Sequence, residues 1–204
     1  MSAGRPFRED PKLRVENLAL ARGGRVLFEA LSFEAGAGAY VEIHGPNGSG
    51  KTSLLRALAG FLRPLAGKVV FDNIEAPALA LHLVGHQNGL KSAASARAHL
   101  RYWAGLFGAA PSEAPLARLG LSRCADLPVR VLSQGQARRL ALARLLIAAR
   151  PIWLLDEPAA ALDADGRAVL GDFIQAHCAE GGLVLAAVHE ALGIKANSAV
   201  VLGA

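Results

Sequence analysis

HGPNGSGKTSLLRALAG, residues 44–60, is the stretch on which the reading of this chain turns. Within it, GPNGSGKT (45–52) satisfies the whole pattern G-x-x-x-x-G-K-[ST]. The preceding YVEIH (40–44) has the composition of a strand. In the run that follows, Leu54, Leu55 and Leu58 share one helical face, Gly60 suits a helix C-terminus and Pro64 blocks continuation. A strand, a glycine-rich loop and a helix in that order predict a phosphate-binding loop formed by Gly45, Pro46, Asn47, Gly48, Ser49 and Gly50. Gly48 and Gly50 permit backbone conformations that a side chain forbids, so successive N–H groups can turn inward around phosphate oxygens. The helix starting near Lys51 adds the positive end of its dipole. Lys51 supplies a full charge at the β- and γ-phosphates, and the Thr52 hydroxyl is placed to coordinate Mg²⁺.

The elements around this loop predict an α/β fold of the P-loop NTPase class. Residues 13–20 alternate apolar and polar, and 25–27 and 31–34 read as further short strands, which together predict an antiparallel sheet at the N-terminus. Strands are expected at 68–71, 81–84, 152–156 and 183–188, and helices at 136–148 and 164–179. Their alternation implies a parallel sheet covered on both faces. From residue 92 the composition shifts to Ala, Leu and Arg, predicting a small helical subdomain. The expected organisation is one domain over 1–204, with a nucleotide-binding core of 1–91 and 132–204 and the helical subdomain at 92–131.

Composition bounds the function classes. A chain of 204 residues, 52% hydrophobic, buries a full core, yet no stretch reaches the ~18 apolar residues of a membrane span. The N-terminal MSAGRPFREDPKLR has no apolar segment of the kind a secretory signal requires. Cys124 and Cys178 form no C-x-x-C pair and read as reduced thiols. The formal charge of +5 suits an anionic partner, but the basic residues are scattered, Arg138-Arg139 being the only adjacent pair. Charge therefore does not point to nucleic acid.

Two further segments carry chemistry. IWLLDE (152–157) is an apolar strand ending in two acids, which a buried strand has no reason to do unless charge is needed there. Asp156 is the expected Mg²⁺ ligand beside Thr52, and Glu157 the general base or water-positioning group. In LSQGQ (132–136), Ser133 and Gln136 form an S-x-x-Q capping box. Gly135 in the first turn costs ~1 kcal/mol relative to Ala, which makes sense if a phosphate approaches the backbone there. The chain then holds two helix N-termini suited to phosphate, one more than a single nucleotide needs.

GPNGSGKT, Gln87 after a strand, LSQGQARRLALARLL, WLLDEP, ALD (161–163) and His189 after LVLAAV follow one another in this order. Together they resemble the ATP-binding subunits of ABC transporters, over essentially the whole chain. The resemblance implies an ABC-type ATPase using ATP and Mg²⁺, in which two copies of the chain sandwich two ATP molecules head to tail. It implies that Ser133 and Gly135, in the motif shared with Gln136, touch the γ-phosphate across the interface. Gln87 would sense Mg²⁺ and the attacking water, Asp163 would line the dimer interface and His189 would contact the γ-phosphate. Two departures stand out: Gln134 replaces the usual Gly, and LALARGGR (18–25) offers no aromatic to stack on adenine, leaving Arg22 as the expected stacking group.

The segments AGFLRPLAGKV, VGHQNGLK and AHCAEGGLVLAAVHE resemble, more narrowly, the short ATP-binding subunits of the haem exporter in bacterial cytochrome c maturation. That resemblance implies an integral membrane permease as partner and a peripheral position on the cytoplasmic face of the inner membrane. Hydrolysis would serve haem export or the release of a haem-loaded chaperone. The helical subdomain and the loop around Gln87 would dock a cytoplasmic helix of the permease. The chain runs only fifteen residues beyond His189, so no appended regulatory domain is expected. The competing readings are an ATP-binding subunit for another cargo and a soluble ABC-type ATPase acting on nucleic acid. The latter usually carries two cassettes or long insertions, and no nucleic-acid partner is expected here. No C-x-x-C-H is present, and His82, His86, His99 and His177 read as core or surface residues rather than haem ligands.

Overall fold

The computed structural model describes residue 7, residues 10–189 and residues 192–203. Much of the N-terminal stretch read for a secretory signal thus lies outside the described residues. The elements run β1 (Lys12–Arg22), β2 (Arg25–Ala35), β3 (Tyr40–His44), α1 (Lys51–Leu58), β4 (Ala66–Asp72), α2 (Pro77–Ala80), β5 (Leu81–Val84) and α3 (Ala96–Phe107). They continue with α4 (Ala114–Arg118), α5 (Gln134–Leu142), β6 (Ile152–Asp156), α6 (Ala164–Ala179), β7 (Leu183–Ala187) and β8 (Ser198–Val201). Among the described residues, no helix is long and apolar enough to cross a membrane.

Two sheets form. The first is antiparallel, in the order β2-β1-β4, and the second is five-stranded and parallel, in the order β5-β6-β7-β3-β8. This is the α/β architecture with an antiparallel N-terminal part that the pattern predicts. Every residue of β6 and β7 is buried, because the parallel sheet is covered on both faces. Ile152 and Leu154 pack with Val41, Ile43, Leu54, Leu55 and Leu58, between the parallel sheet, α1 and the antiparallel sheet. Trp153 and Leu155 point the other way, into a core shared with Leu100, Leu140, Leu142, Leu170 and Ile174 from α3, α5 and α6.

Three elements differ from expectation. The segments 25–27 and 31–34 belong to one strand, because a bulge at Ala30 (φ 55°) lets β2 keep pairing with β1 while its register shifts between Leu18↔Leu31 and Leu20↔Phe28. The helix expected at 136–148 starts earlier, with Ser133 as its N-cap, and ends at Leu142. The chain then tightens into a 3₁₀ turn, Ala143–Leu146, where Arg144 donates to the Asn88 carbonyl (2.6 Å) and lies over the Trp103 ring. β8 went unforeseen: it has four residues, one of them buried, and exists through its pairing with β3.

Three of the four histidines weighed as haem ligands are core groups. His177 stacks on Trp153 with centroids 3.8 Å apart, and burial pulls its pKa down to about 4. Burial likewise lowers His82 to about 4, with its ring held at the Ala148 carbonyl. His99 donates from Nδ1 to the Ser95 carbonyl and accepts at Nε2 from the Lys91 N–H. His86 is exposed and lies at the site described next.

Candidate functional site

Because β5, β6, β7 and β3 run parallel, their carboxyl ends share one edge of the sheet. That edge gathers residues far apart in the chain: the loop after β3, Gly85–Asn88 after β5, Asp156 and Glu157 at the end of β6, and His189 after β7. Open parallel sheets bind their ligands at this edge.

The loop from Gly45 to Gly50 wraps tightly. A Cβ at Gly45 would lie 2.5 Å from the Leu202 carbonyl oxygen, so no other residue fits there without moving β8's exit. Gly50 is the N-cap of α1 at φ 106°, left-handed backbone that glycine adopts freely. No side chain caps α1, so its first-turn N–H groups face the loop. The Lys51 side chain folds back over the loop and donates to the carbonyls of Gly45 (2.6 Å) and Pro46 (3.1 Å). Ser49 Oγ is buried and has no hydrogen-bond partner among the described residues. The Thr52 hydroxyl donates to the buried Asp156 carboxylate, 3.0 Å to Oδ2 and 3.2 Å to Oδ1. A cavity of about 320 Å³ opens over this loop, lined by Arg22, Leu27, Asn47, Gly48, Gly50, Lys51, Thr52, Ser53 and Glu157. Ser133, Gly135, Gln136 and Asp163 are absent from its lining.

Glu157 sits directly after β6 at φ 49°, a strained conformation for a non-glycine residue. Two histidines hold its carboxylate. His189 donates from Nε2 to Oε1 (2.9 Å), and His86 donates from Nδ1 to Oε2 (3.1 Å). Gln87, the neighbour of His86, points into solvent. Sequence reasoning anticipated the loop, Asp156, Glu157 and His189 at one place, but not the approach of His86.

It also missed Arg138. This guanidinium, 2% exposed, donates to the carbonyls of Glu157 (2.7 Å), Asp156 (2.9 Å), Gly85 (2.9 Å) and Pro158 (3.1 Å) and to Asn88 Oδ1 (3.1 Å). It fastens the loop after β5 to the loop after β6. Burial pulls its pKa below the usual guanidinium value, while Asp156 and Glu157 pull the other way. The signal was present in the sequence: Arg138 precedes Ala141 and Leu142 by three and four residues, on the buried stripe of α5.

At the start of α5 both halves of the capping box are formed: Ser133 Oγ accepts from the Gln136 N–H (3.1 Å) and Gln136 Oε1 from the Ser133 N–H (2.9 Å). Gln136 also donates to Cys124 Sγ (3.5 Å). The need for glycine at 135 has a source within the chain, since a Cβ there would stand 3.0 Å from the Ala161 carbonyl oxygen. Asp163 caps α6 through the Gly166 N–H (2.9 Å) and pairs with Arg139 at 2.5 and 2.7 Å. Those contacts, the Gly166 N–H foremost, hold its carboxyl below the usual range.

A protein family described as ABC transporter matches residues 28–160. The cytochrome c biogenesis ATP-binding export protein CcmA of Rhodopseudomonas palustris (strain BisB5) is 46% identical over 185 residues, covering 88% of this chain and 92% of that protein. The protein of the same name from Bradyrhizobium diazoefficiens is 49% identical over 179 residues, 85% of this chain and 89% of its own. An ABC transporter ATP-binding protein of Pyrococcus furiosus has a similar fold, with a TM-score of 0.82 at 24% identity over 94% of this chain and 97% of that one.

Proposed function

We propose, for a chain that belongs to the ABC transporter family and is an ABC-type ATPase, that its ATP hydrolysis serves c-type cytochrome biogenesis through an integral membrane permease. The cargo class, haem export or release of a haem-loaded chaperone, is supported by identities of 46% and 49% to proteins named for that process. The reading of the site is carried by one juxtaposition: Lys51, the Thr52–Asp156 hydrogen bond and Glu157 meet at a single cavity over the glycine loop.

In this reading the loop N–H groups, the uncapped start of α1, the buried Ser49 hydroxyl and Lys51 grip the triphosphate. Lys51 exchanges the Gly45 and Pro46 carbonyls for β- and γ-phosphate oxygens. Thr52 and Asp156 would hold Mg²⁺, and Gln87, exposed on the loop after β5, would turn in to join them. The donor set fits: two oxygen ligands already touch, and among the described residues no group of three or more His, Cys, Asp or Glu could cage an ion alone. Mg²⁺ prefers such half-sites, keeping waters and taking phosphate oxygens. Bound there, it would neutralise charge developing on the transferred phosphoryl group. Glu157 takes the proton of the attacking water, and His189 turns from Glu157 to the γ-phosphate.

The N-terminus of α5 borders no part of the loop cavity. A second copy of the chain is the natural recipient: Ser133, Gly135 and Gln136 of one copy close over the phosphates held by the other, with Asp163 at the interface. Residues 1–91 and 132–204 form the nucleotide-binding core and 92–131 the helical subdomain that meets the permease. The assembly is peripheral to the cytoplasmic face of the inner membrane, and no nucleic acid takes part.

The test is magnesium-dependent phosphate release by the purified chain, alone and with its membrane partner in detergent. Glu157→Gln binds ATP, loses turnover by about 10²–10⁴-fold and elutes as a trapped dimer. Wild-type turnover in that variant refutes the assignment of Glu157. In cells lacking the chain, wild type restores haem-stained c-type cytochromes and Glu157→Gln does not; unimpaired staining without the chain refutes the cargo class.

A further inference from the structure

We propose that His86 is a positioning residue that latches the Glu157 carboxylate and must let go before Glu157 can act; this rests on the reading of Glu157 as the base. The sheet order is β5-β6-β7, so the segments following β5 and β7 flank the end of β6 on opposite sides. Each sends one imidazole to Glu157, and each imidazole takes a different oxygen: His189 Nε2 on Oε1 at 2.9 Å and His86 Nδ1 on Oε2 at 3.1 Å. A carboxylate only accepts, so both ring nitrogens donate. Each oxygen keeps a second lone pair, but the N–H already in place draws charge from it and weakens its pull on the proton of a water.

The two histidines differ in how they are carried. Both side chains are exposed, His86 at 65% and His189 at 45%, but His189 follows a strand buried throughout, whereas His86 rides the tip of a loop. Both ends of that tip are fixed. Arg138 holds the Gly85 carbonyl and Asn88 Oδ1, and Arg144 holds the Asn88 carbonyl at 2.6 Å. Between these fixed points only residues 86 and 87 are left to move. A load applied to the tip thus shifts His86 off Glu157 without disturbing β5 or β6. The latch makes turnover sensitive to whatever presses on this loop, and Gln87 moves with it.

The experiment compares His86→Ala and His86→Asn with wild type in the purified chain, measuring kcat and KM for ATP. Asn carries its amide nitrogen as many bonds from Cα as Nδ1 of His, so it keeps a donor facing Oε2. The expected result is a kcat for His86→Ala raised roughly three- to tenfold, the scale of one exposed hydrogen bond, with KM unchanged and His86→Asn at the wild-type rate. His86→Ala combined with Glu157→Gln should be inert, showing that the gain runs through Glu157. A kcat for His86→Ala equal to or below wild type overturns the latch, as does an equal gain in His86→Asn. If Glu157→Gln itself turns over normally, the reading of the base fails instead. Because His86 is exposed, its replacement leaves the core intact, and unchanged thermal unfolding is the control.

Discussion

Arg138 offers the sharpest test of how the catalytic edge is held. Replacing it with Met keeps the bulk of the side chain but removes five hydrogen bonds, to Gly85, Asn88, Asp156, Glu157 and Pro158. Bonds from a charged donor contribute about 1.5–3 kcal/mol each, or about 7–15 kcal/mol together. Against this, removing the guanidinium recovers the several kcal/mol that its burial costs. The net loss expected is about 3–5 kcal/mol, similar to breaking other buried charged contacts. For a chain of this length that lowers the melting temperature by roughly 6–20 °C. The bonds join the loop after β5 to the Asp156 and Glu157 carbonyls and so set the metal-binding and base carboxylates; kcat should therefore fall more than nucleotide affinity, which depends on the separate loop around Lys51. Denaturant unfolding with an unchanged slope gives the stability change, and phosphate release with nucleotide binding gives the split. A loss under about 1 kcal/mol, or a fall in affinity matching the fall in kcat, refutes the picture of Arg138 as the fastener of these loops.

Thr52→Val keeps the shape of residue 52 but removes the hydroxyl that meets Asp156; turnover should then require about 10–100-fold more Mg²⁺, and an unchanged Mg²⁺ titration refutes the assignment. Arg22 lines the cavity beside Leu27, so Arg22→Ala should weaken ATP binding about two- to fivefold and GTP binding by a different factor, whereas an equal loss for both, or none, refutes stacking on the base. Burial lowers His82 and His177 to about 4 in the folded chain from an ordinary value of 6.5. Between those values the unfolded chain binds more protons, so stability is full above pH 6.5 and falls on acidification, by up to about 1.4 kcal/mol per pH unit for each histidine. Urea midpoints that stay level from pH 6.5 to 4 refute this.

Much of the site was legible because its parts are local. The loop from Gly45 to Thr52 and the Ser133–Gln136 capping box are each made by residues within one turn or loop, so spacing alone reveals them, whereas Asp163 as the cap of α6 was not read from spacing. The bounds of β3 and α6 follow from the same short-range patterns. β2 was harder, because its continuity across Ala30 depends on β1 maintaining its pairing from the other side of the bulge. β8 has too little apolar pattern of its own, and only its neighbour β3 makes it a strand.

Residue types and their spacing set the chemistry available to this protein: a loop shaped for phosphate, a lysine and a threonine at its end, and two acids closing a buried strand. The motifs also foretold that Thr52 and Asp156 would meet, across 104 residues. Two other meetings came from the folded chain alone: His86 reaches Glu157 across 71 residues, and Arg138 joins loops that follow different strands. The physical reason is that a parallel sheet orders its strands as β5-β6-β7-β3-β8, unlike their order in the chain, and brings their carboxyl ends to one edge. That ordering comes from burying both faces of the sheet at once, a condition met by the whole chain and carried by no single segment.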